Sequence, residues 1–338
     1  MSTITSSSNM PPTRIAQQQL SKFTDRVAAI RQSLHKVVIG QEAVIDQLLV
    51  CALTGSHALI VGVPGLAKTL MVKALASTFD WKFSRVQFTP DLMPADITGY
   101  ELLGRDETGG TKMVFRQGPV FANLVLADEI NRATPKTQSA LLEAMAERQV
   151  SVGGQTYILE EPFLVVATQN PIEQEGTYPL PEAQLDRFMM EIHVGYPTPQ
   201  QEEQVVMTTS GASAPLPGAV LNRTEFLELR ELVWSVPVPP TVAAYAVKIC
   251  GASRPTDIRA TKYIKDYVAW GAGPRGSQNL VRAAKAKALL EGRAAPTVDD
   301  IRSLALPVLR HRILANHRAV GDSVSPDQIV EQLLSEVR

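Results

Sequence analysis

The chain has 338 residues, a formal net charge of −1, 45% hydrophobic residues and two cysteines. This length and hydrophobic content are typical of a globular protein of about two domains with a sizeable core. The near-neutral charge argues against a surface devoted to nucleic acid, and the lack of any apolar run of about 18 residues argues against a membrane span.

The amino-terminal stretch is rich in serine and threonine and carries little hydrophobicity. It has no charged segment followed by an apolar one, so it does not resemble a secretory signal, and we predict a disordered tail over residues 1–19. The two cysteines stand alone in apolar helical contexts and are interpreted as core residues in a reducing compartment. We therefore expect a cytoplasmic protein, in which the five histidines, without metal-ligand spacing, are structural.

Two amphipathic helices are predicted next, over residues 20–38 and 41–53, with Gly40 breaking the pattern between them. The apolar run 57–61 is compatible with a buried parallel strand. It leads into a glycine-bearing turn and then into an alanine-rich helical pattern. This order of strand, turn and helix is that of a phosphate cradle.

The predicted phosphate-binding stretch comprises Gly62, Val63, Pro64, Gly65, Leu66, Ala67, Lys68, Thr69 and Leu70. Gly62 and Gly65 allow the backbone to approach an anion, Lys68 adds a positive charge, and the Thr69 hydroxyl can ligate Mg²⁺. Ala67 stands where the usual pattern has its last glycine, and its methyl group is tolerated if the residue is near helical φ and ψ. The alternative is an ordinary strand-to-helix turn with a chance lysine.

Four further apolar stretches are predicted strands, and two pairs of short alternating stretches are predicted hairpins. The strands are 82–88, 124–127, 163–167 and 189–194, and the hairpins are 100–103 with 111–115 and 149–152 with 155–158. Gly153-Gly154 in the second hairpin is a good signal for a two-residue turn. The first hairpin has a flexible loop as its alternative, because its alternation is short.

Polar side chains end two of these strands. Asp128 and Glu129 follow one strand, and Asn170 follows another. Ligands of open α/β sheets bind at the carboxyl ends of the strands, so Asp128 is placed to hold Mg²⁺ and Glu129 to orient or deprotonate a water. The Asn170 amide could hydrogen-bond a γ-phosphate or that water. The alternatives are a solvated strand end or helix caps for the acids and an Asn-Pro turn for Asn170.

Two arginines complete the candidate site. Arg187 could reach the γ-phosphate of a neighbouring subunit, and its alternative is a surface ion pair with Glu182 or Asp186. Arg275 follows Gly-Pro at the start of a helix, where a cation is disfavoured by the helix dipole unless an anion lies nearby. The alternative for Arg275 is an exposed arginine that tolerates this field.

The chain divides near residues 198–220, a stretch with prolines, serines, threonines and glycines around a short helix. We place a linker there, between a core domain over residues 20–197 and an all-helical domain over residues 221–338. The predicted helices of the second domain are 224–233, 240–251, 261–270, 274–292, 298–310 and 326–337.

From about residue 20 onward the chain resembles the MoxR family of AAA+ ATPases. The most specific stretches are GVPGLAKT at 62–69, LADEINRA at 126–133, ATQNP at 167–171 and LDRF at 185–188. The resemblance implies an α/β fold, with a P-loop αβα sandwich around a parallel five-stranded sheet of order 5-1-4-3-2 and a helical lid. It also implies an ATP-hydrolysing ring, usually a hexamer, that uses Mg²⁺.

The resemblance implies a role for each candidate residue. These roles are Walker A for Lys68 and Thr69, Walker B for Asp128 and Glu129, sensor 1 for Asn170, arginine finger for Arg187, sensor 2 for Arg275, and an adenine contact for Val38, Ile39, Gly40 and Gln41. The two hairpins resemble the helix-2 insert and the pre-sensor-1 hairpin. Whether Arg275 or Arg132 acts on its own or on a neighbour's nucleotide is left open.

The family resemblance implies a chaperone that remodels or matures a protein client, often with a separate partner bearing a von Willebrand factor A domain. One alternative is a nucleic-acid motor, since helicase relatives share both hairpins, although the hairpin region 148–159 carries one arginine and no lysine. The other is a P-loop kinase of small molecules, which the helical second domain and the arginine finger fit poorly.

Overall fold

The structure, a computed structural model, describes residues 15, 17–105, 110–172, 175–210 and 215–337. The predictions for residues 1–14 and 16 of the tail, 106–109 of the first hairpin and 211–214 of the linker lie outside the described residues. The helices are α1 (Gln17–His35), α2 (Glu42–Leu53), α3 (Lys68–Thr78), α4 (Pro94–Thr98), α5 (Pro135–Glu147), α6 (Glu182–Leu185), α7 (Pro199–Thr209), α8 (Arg223–Ser235), α9 (Pro240–Ala252), α10 (Lys262–Tyr267), α11 (Pro274–Leu290), α12 (Val298–Leu309), α13 (His317–Gly321) and α14 (Pro326–Glu336). The strands are β1 (His57–Val61), β2 (Phe83–Gln87), β3 (Gly99–Arg105), β4 (Thr111–Gln117), β5 (Leu124–Asp128), β6 (Gln149–Val152), β7 (Gln155–Ile158), β8 (Leu164–Gln169), β9 (Phe188–His193), β10 (Val268–Trp270) and β11 (Leu314–Ala315).

Five of these strands form the central sheet in the order β2-β5-β8-β1-β9. All neighbouring pairs in it are parallel, and the order confirms the predicted 5-1-4-3-2. Parallel strands end at one edge of a sheet and begin at the other. We call these the carboxyl edge and the amino edge.

Side chains of the central strands enter two cores, one on each face of the sheet. Ala58 and Ile60 of β1 pack into the first core, whereas Leu59 between them packs into the second, because successive side chains of a strand point to opposite faces. The first core contains apolar residues of α1, α2 and α3 and continues into the second domain, and the second core contains those of α5. This arrangement is the predicted αβα sandwich with a helical lid.

Two antiparallel hairpins project from the sandwich. β3 pairs with β4 and β6 pairs with β7, so the flexible-loop alternative for the first hairpin is wrong. Gly153 and Gly154 both have positive φ, 59° and 78°, as a two-residue type I′ turn requires. Phe115 of the first hairpin stacks on Tyr157 of the second with ring centroids 4.1 Å apart, which joins the hairpins to each other.

The second domain is helical with one exception. The predicted helix over residues 261–270 ends at Tyr267, and β10 then pairs with β11 in an antiparallel ribbon. Val268 and Trp270 favour strands, and the partner strand lies more than forty residues away in the sequence, so local spacing did not reveal the pairing. The short helix α13, which follows the ribbon, was also not predicted.

Helix α1 begins at Gln17, three residues before its predicted start. α7 lies within the stretch predicted as a linker. Among the residues that the structure describes, no single helix is long and apolar enough to cross a membrane, although α8 and α9 together pass that test of length and composition as a pair bent by 86°.

Candidate active site

The carboxyl edge of the sheet collects the predicted phosphate and metal ligands. The phosphate loop follows β1, Asp128 ends β5, and Asn170 comes directly after β8. Because β8 lies between β1 and β5, Asn170 lies between the loop and the acids. Asp128 and Asn170 are 8% and 6% exposed, so both are positioned by the fold rather than by solvent.

The phosphate loop presents backbone N–H groups at the start of α3. No side chain of the described residues caps this helix end, and nothing lies within 4 Å of where a Cβ of Gly65 would be. The ammonium group of Lys68 folds back onto the loop, donating to Gly62 O and, at 3.3 Å, to Val63 O. An uncapped helix start with an adjacent cation is a favourable site for phosphate.

Two residues of the loop are constrained in ways that the sequence did not reveal. Ala67 has φ 55° and ψ 21°, so the condition stated for tolerating its methyl group, ordinary helical angles, is not met. The left-handed conformation costs an alanine roughly 1–2 kcal/mol, and this strain falls in the predicted phosphate loop. Gly62 lies in a tightly packed position, since a Cβ there would lie 3.0 Å from Val194 O.

Asp128 is held by both of its carboxylate oxygens. Arg85 Nε and Nη2 donate to Oδ2 at 3.0 and 2.7 Å, and Thr168 Oγ1 donates to Oδ1 at 2.6 Å. The Thr168 hydroxyl also accepts the backbone N–H of Glu129 at 2.9 Å. One hydroxyl on β8 therefore fixes the relative positions of both acids.

Glu129 is the other acid, and its backbone lies in the left-handed region at φ 56° and ψ 50°. Its Oε2 accepts from Gln87 Nε2 at 2.7 Å and from Arg132 Nη1 at 3.0 Å. Gln87 Oε1 in turn accepts from Arg85 Nη2 at 2.7 Å. A polar chain thus links the two acids, and it places Arg132 at the carboxyl edge of its own subunit.

Sequence reasoning missed Arg85, Gln87 and Thr168. The available signal was weak: two polar residues alternate along β2, and a threonine precedes Asn170. Their relevance depends on β2 being the neighbour of β5, with Gln87 in register with Asp128. Strand order is not visible in the spacing of polar residues alone.

The segment Val38, Ile39, Gly40 and Gln41 borders the same edge. It connects α1 to α2, and Gln41 Nε2 donates to Gly195 O at 3.1 Å. Val194, the residue before Gly195, contacts Gly62 of the phosphate loop. The predicted adenine contact therefore lies beside the predicted phosphate site.

The oxygen-bearing side chains at this edge suit a nucleotide-bound magnesium ion. Among the described residues, no group of three or more His, Cys, Asp or Glu could hold a metal on its own. Mg²⁺ in nucleotide sites is commonly held by one or two protein oxygens together with phosphate oxygens and water. Asp128 and the half-buried Thr69 in the first turn of α3 provide such oxygens.

Asn170 also makes the turn that was its alternative. Its Oδ1 accepts the backbone N–H of Ile172 at 3.1 Å, as in an Asx turn. This bond uses the carbonyl oxygen of the side chain, so the two roles are compatible.

The two remaining candidate arginines, Arg187 and Arg275, lie at the amino edge of the sheet. Arg187 comes directly before β9, whose Phe188 pairs with His57, the first residue of β1. The phosphate loop begins at Gly62, after the five residues of β1, which span roughly 16 Å. That distance exceeds the reach of an arginine side chain, so Arg187 cannot contact the nucleotide of its own subunit.

Arg275 joins Arg187 at the amino edge. Arg275 Nη1 lies 3.1 Å from Asp186 Oδ2, and Arg312 Nε donates to Oδ1 of the same carboxylate at 2.7 Å. Arg187 donates to Leu142 O, and the ion pairs of the described residues do not include its predicted alternative, a pair with Glu182 or Asp186. Arg187 and Arg275 line one cavity of about 480 Å³.

Two buried histidines near these elements are structural, as expected. Burial, followed in the same direction by the charge of Arg148, lowers the pKa of His57 to about 4, against the effect of its bond to Met145 O. His57 is therefore neutral at neutral pH, and its Nδ1 accepts the N–H of Val165 at 3.0 Å. Burial and the charge of Arg312 likewise lower the pKa of His311.

Comparison with known proteins places the chain among ATPases. Residues 57–190 match the family model of the ATPase family associated with various cellular activities (AAA), and residues 260–333 match the AAA lid domain. The chain is 42% identical to Chaperone MoxR1 of Mycobacterium tuberculosis over 90% of this chain and 80% of that protein. It is 35% identical to Protein MoxR of Paracoccus denitrificans over 87% and 88%.

A solved structure of similar sequence has the same fold. A candidate ATPase of Cytophaga hutchinsonii superposes with a TM-score of 0.88 at 40% sequence identity, covering 95% of this chain and 97% of that one. The similarity thus extends over nearly the full length of both chains.

Proposed function

Since this chain belongs to the MoxR family of AAA+ ATPases, we propose that it forms a ring that hydrolyses ATP between neighbouring subunits to remodel a protein client. One observation carries this proposal. The phosphate loop and the acids lie at the carboxyl edge of the sheet, whereas Arg187 and Arg275 lie at the amino edge. Each subunit therefore holds two half-sites that face different neighbours.

The residues of the carboxyl edge would bind ATP and activate water. The N–H groups of the loop and Lys68 would hold the phosphates, and the segment 38–41 would lie against adenine. Bound Mg²⁺, held by Thr69 and Asp128, would neutralise charge on the phosphate oxygens. Glu129 would orient the attacking water and accept its proton, while the Asn170 amide would hold that water or the γ-phosphate.

The residues of the amino edge would complete the neighbour's site. An arginine finger contributes about 10³–10⁵ in rate, or roughly 4–7 kcal/mol. Arg187 would make this contribution at the nucleotide site of the neighbouring subunit. Arg275 would act on the same neighbour, because Asp186 holds it beside Arg187. Arg132, which bonds to Glu129, would act on its own subunit's site.

The client and partner assignments extend what the family resemblance implies. One relative is named a chaperone, and we propose that this chain also matures a protein or complex in the cytoplasm as a hexamer, with a separate protein that bears a von Willebrand factor A domain. A nucleic-acid motor is less well supported. Arg148, the arginine of the second hairpin region, is tied to Glu161 and donates to Gly55 O at 2.9 Å.

The proposal is tested by measuring, for the same pair of variants, both the oligomeric state and the proteins that each variant captures. Mass photometry of the Glu129→Gln protein with Mg²⁺ and ATP should show a closed oligomer, and affinity capture followed by mass spectrometry should recover a defined protein set. The Lys68→Ala protein, handled identically, should recover neither. A Glu129→Gln chain that stays monomeric with saturating ATP, or whose ATPase is stimulated by DNA with a steep salt dependence, would overturn the proposal.

A further inference from the structure

A second cavity adjoins the cleft that holds Arg187 and Arg275. It has a volume of about 460 Å³, within the range of small-molecule sites. Its lining residues are Thr54, Gly55, Arg148, Val233, Trp234, Arg282 and Lys285. Gly55, Arg148 and Arg282 line both cavities, so the second cavity extends the first between α8 and α11.

Arg148, which lines this cavity, shares one carboxylate with Arg230, which lies behind the cavity wall. Arg148 Nη1 pairs with Glu161 Oε1, and Arg230 Nη2 pairs with Oε2. Burial acts to raise the pKa of Glu161, but hydrogen bonds and charge from Arg230 and Arg148 outweigh it and hold the pKa low. Glu161 is therefore ionised and compensates only one of these two positive charges.

Arg230 is the most constrained of these cations. Its side chain is 5% exposed, it lies over the ring of Trp234 at 4.8 Å, and its Nε and Nη1 are buried without a hydrogen-bond partner among the described residues. Nη1 lies 3.7 Å from where a Cβ of Gly55 would be, so Arg230 packs directly behind Gly55, which lines the cavity. Buried donors of a charged group are costly when they are left unpaired.

Helix α11 adds two further cations to the same cavity. Arg282 and Lys285 follow Arg275 by seven and ten residues, so the three lie along one face of the helix over roughly 15 Å. The ion pairs of the described residues include no carboxylate partner for Arg282 or Lys285. Burial, followed by the charge of Arg282, lowers the pKa of Lys285, and its ammonium donates to Trp234 O.

We propose that this cavity binds a small anion of the phosphate class, such as a phosphomonoester or a diphosphate. Three cations line the cavity, Arg148, Arg282 and Lys285, and Trp234 supplies an apolar face. Arg230 lies behind this wall, and among the described residues Glu161 is the one carboxylate that pairs with any of these four cations. The site lies at the amino edge, so it is separate from the phosphate loop of the same subunit. A bound anion would join Arg148 of the core domain to α8 and α11 of the lid, which would fix the orientation of the lid.

The test is a fluorescence titration with inorganic pyrophosphate in the absence of Mg²⁺. The Lys68→Ala chain is used, because this substitution weakens phosphate binding at the loop whatever the chain's enzymatic function. We expect a saturable change in tryptophan emission that disappears in Trp234→Phe. Arg282→Gln and Lys285→Gln should each weaken the apparent affinity at least tenfold, whereas Lys262→Gln, an exposed lysine on α10, should leave it within twofold.

Thermal unfolding distinguishes a loss of binding from misfolding of the variants. Arg282 is exposed and Lys285 is half-buried, so both variants should unfold at nearly the parent temperature without pyrophosphate and lose the thermal shift that pyrophosphate gives the parent. The proposal is overturned by a non-saturable signal that sodium chloride reproduces at equal ionic strength. It is also overturned if the glutamine variants bind as tightly as the lysine control.

Discussion

The two edges of the central sheet differ in how their charges are balanced. At the carboxyl edge, Asp128 and Glu129 are each held by protein donors within one connected network. At the amino edge, Arg187 and Arg275 line an open cleft, and Asp186 is shared between Arg275 and Arg312. The first edge gathers the predicted ligands of phosphate and water, whereas the second presents two exposed arginines in a cleft.

Under the proposed function, this difference explains why one subunit would not complete the chemistry alone. The length of β1, roughly 16 Å, separates the phosphate loop from the arginines that would stabilise the transition state. The separation follows from the parallel sheet, because all its strands begin at one edge and end at the other. Only a second subunit can bring an amino edge against a carboxyl edge.

Removal of Arg187 should produce the largest effect. Arg187→Ala should lower ATP turnover by about 10³–10⁵ while the affinity for ATP at the same subunit's loop stays unchanged, because the two lie at opposite edges. Steady-state hydrolysis and equilibrium nucleotide binding measure the two quantities. Arg223→Ala, which removes an exposed arginine paired with Glu160, should change neither. A tenfold or smaller loss of turnover in Arg187→Ala contradicts the assignment.

The next largest effect concerns the carboxyl edge itself. Glu129→Gln should reduce hydrolysis by about 10²–10⁴, the usual contribution of a positioned general base, and should leave ATP binding intact. Glu143→Gln, on the exposed face of α5, serves as the matched control. Near wild-type turnover in Glu129→Gln would remove this residue from its proposed role.

A smaller effect is expected from the network behind Glu129. Gln87→Leu removes one of the two hydrogen bonds to Oε2 and leaves the bond from Arg132. A hydrogen bond to a charged group is worth about 1.5–3 kcal/mol, so turnover should fall by roughly 10- to 150-fold. Single-turnover hydrolysis measures this, with Gln332→Leu on α14 as control, and equal rates for both variants would show that Gln87 does not position Glu129.

The smallest effect concerns the strained loop. Ala67→Gly should raise the free energy of unfolding by up to about 1 kcal/mol, because glycine adopts the left-handed conformation without steric cost but loses more freedom on folding. Ala140→Gly, within helix α5, should lower it by about 1 kcal/mol. Chemical denaturation compares the two, and destabilisation by both substitutions would contradict the assigned backbone conformation of Ala67.

The strands β1, β5, β8 and β9 of the central sheet were predictable because they are largely buried on both faces. Such strands are continuous apolar runs, and polar residues mark where they end, as at Asp128 and Asn170. The two-residue turn at Gly153-Gly154 was also predictable, because a short local sequence pattern dictates its conformation.

Features that depend on neighbours in space were not predictable. The network of Arg85, Gln87 and Thr168 requires knowledge of strand order, and the ribbon of β10 and β11 joins segments far apart in the sequence. The left-handed backbone of Ala67 opposes the intrinsic preference of alanine, so no propensity rule points to it. The position of Arg275 beside Arg187 depends on how the lid packs on the core, which spacing along α11 does not encode.

The central claim is that the amino edge of one subunit completes the site at the carboxyl edge of its neighbour. The most direct test of this account mixes two inactive proteins. Arg187→Ala chains keep an intact carboxyl edge and Lys68→Ala chains keep an intact amino edge, so a mixed ring contains some complete sites. The account predicts that ATP hydrolysis reappears on mixing and is maximal near equal proportions. No recovery at any ratio, in rings shown by native mass spectrometry to contain both chains, would contradict it.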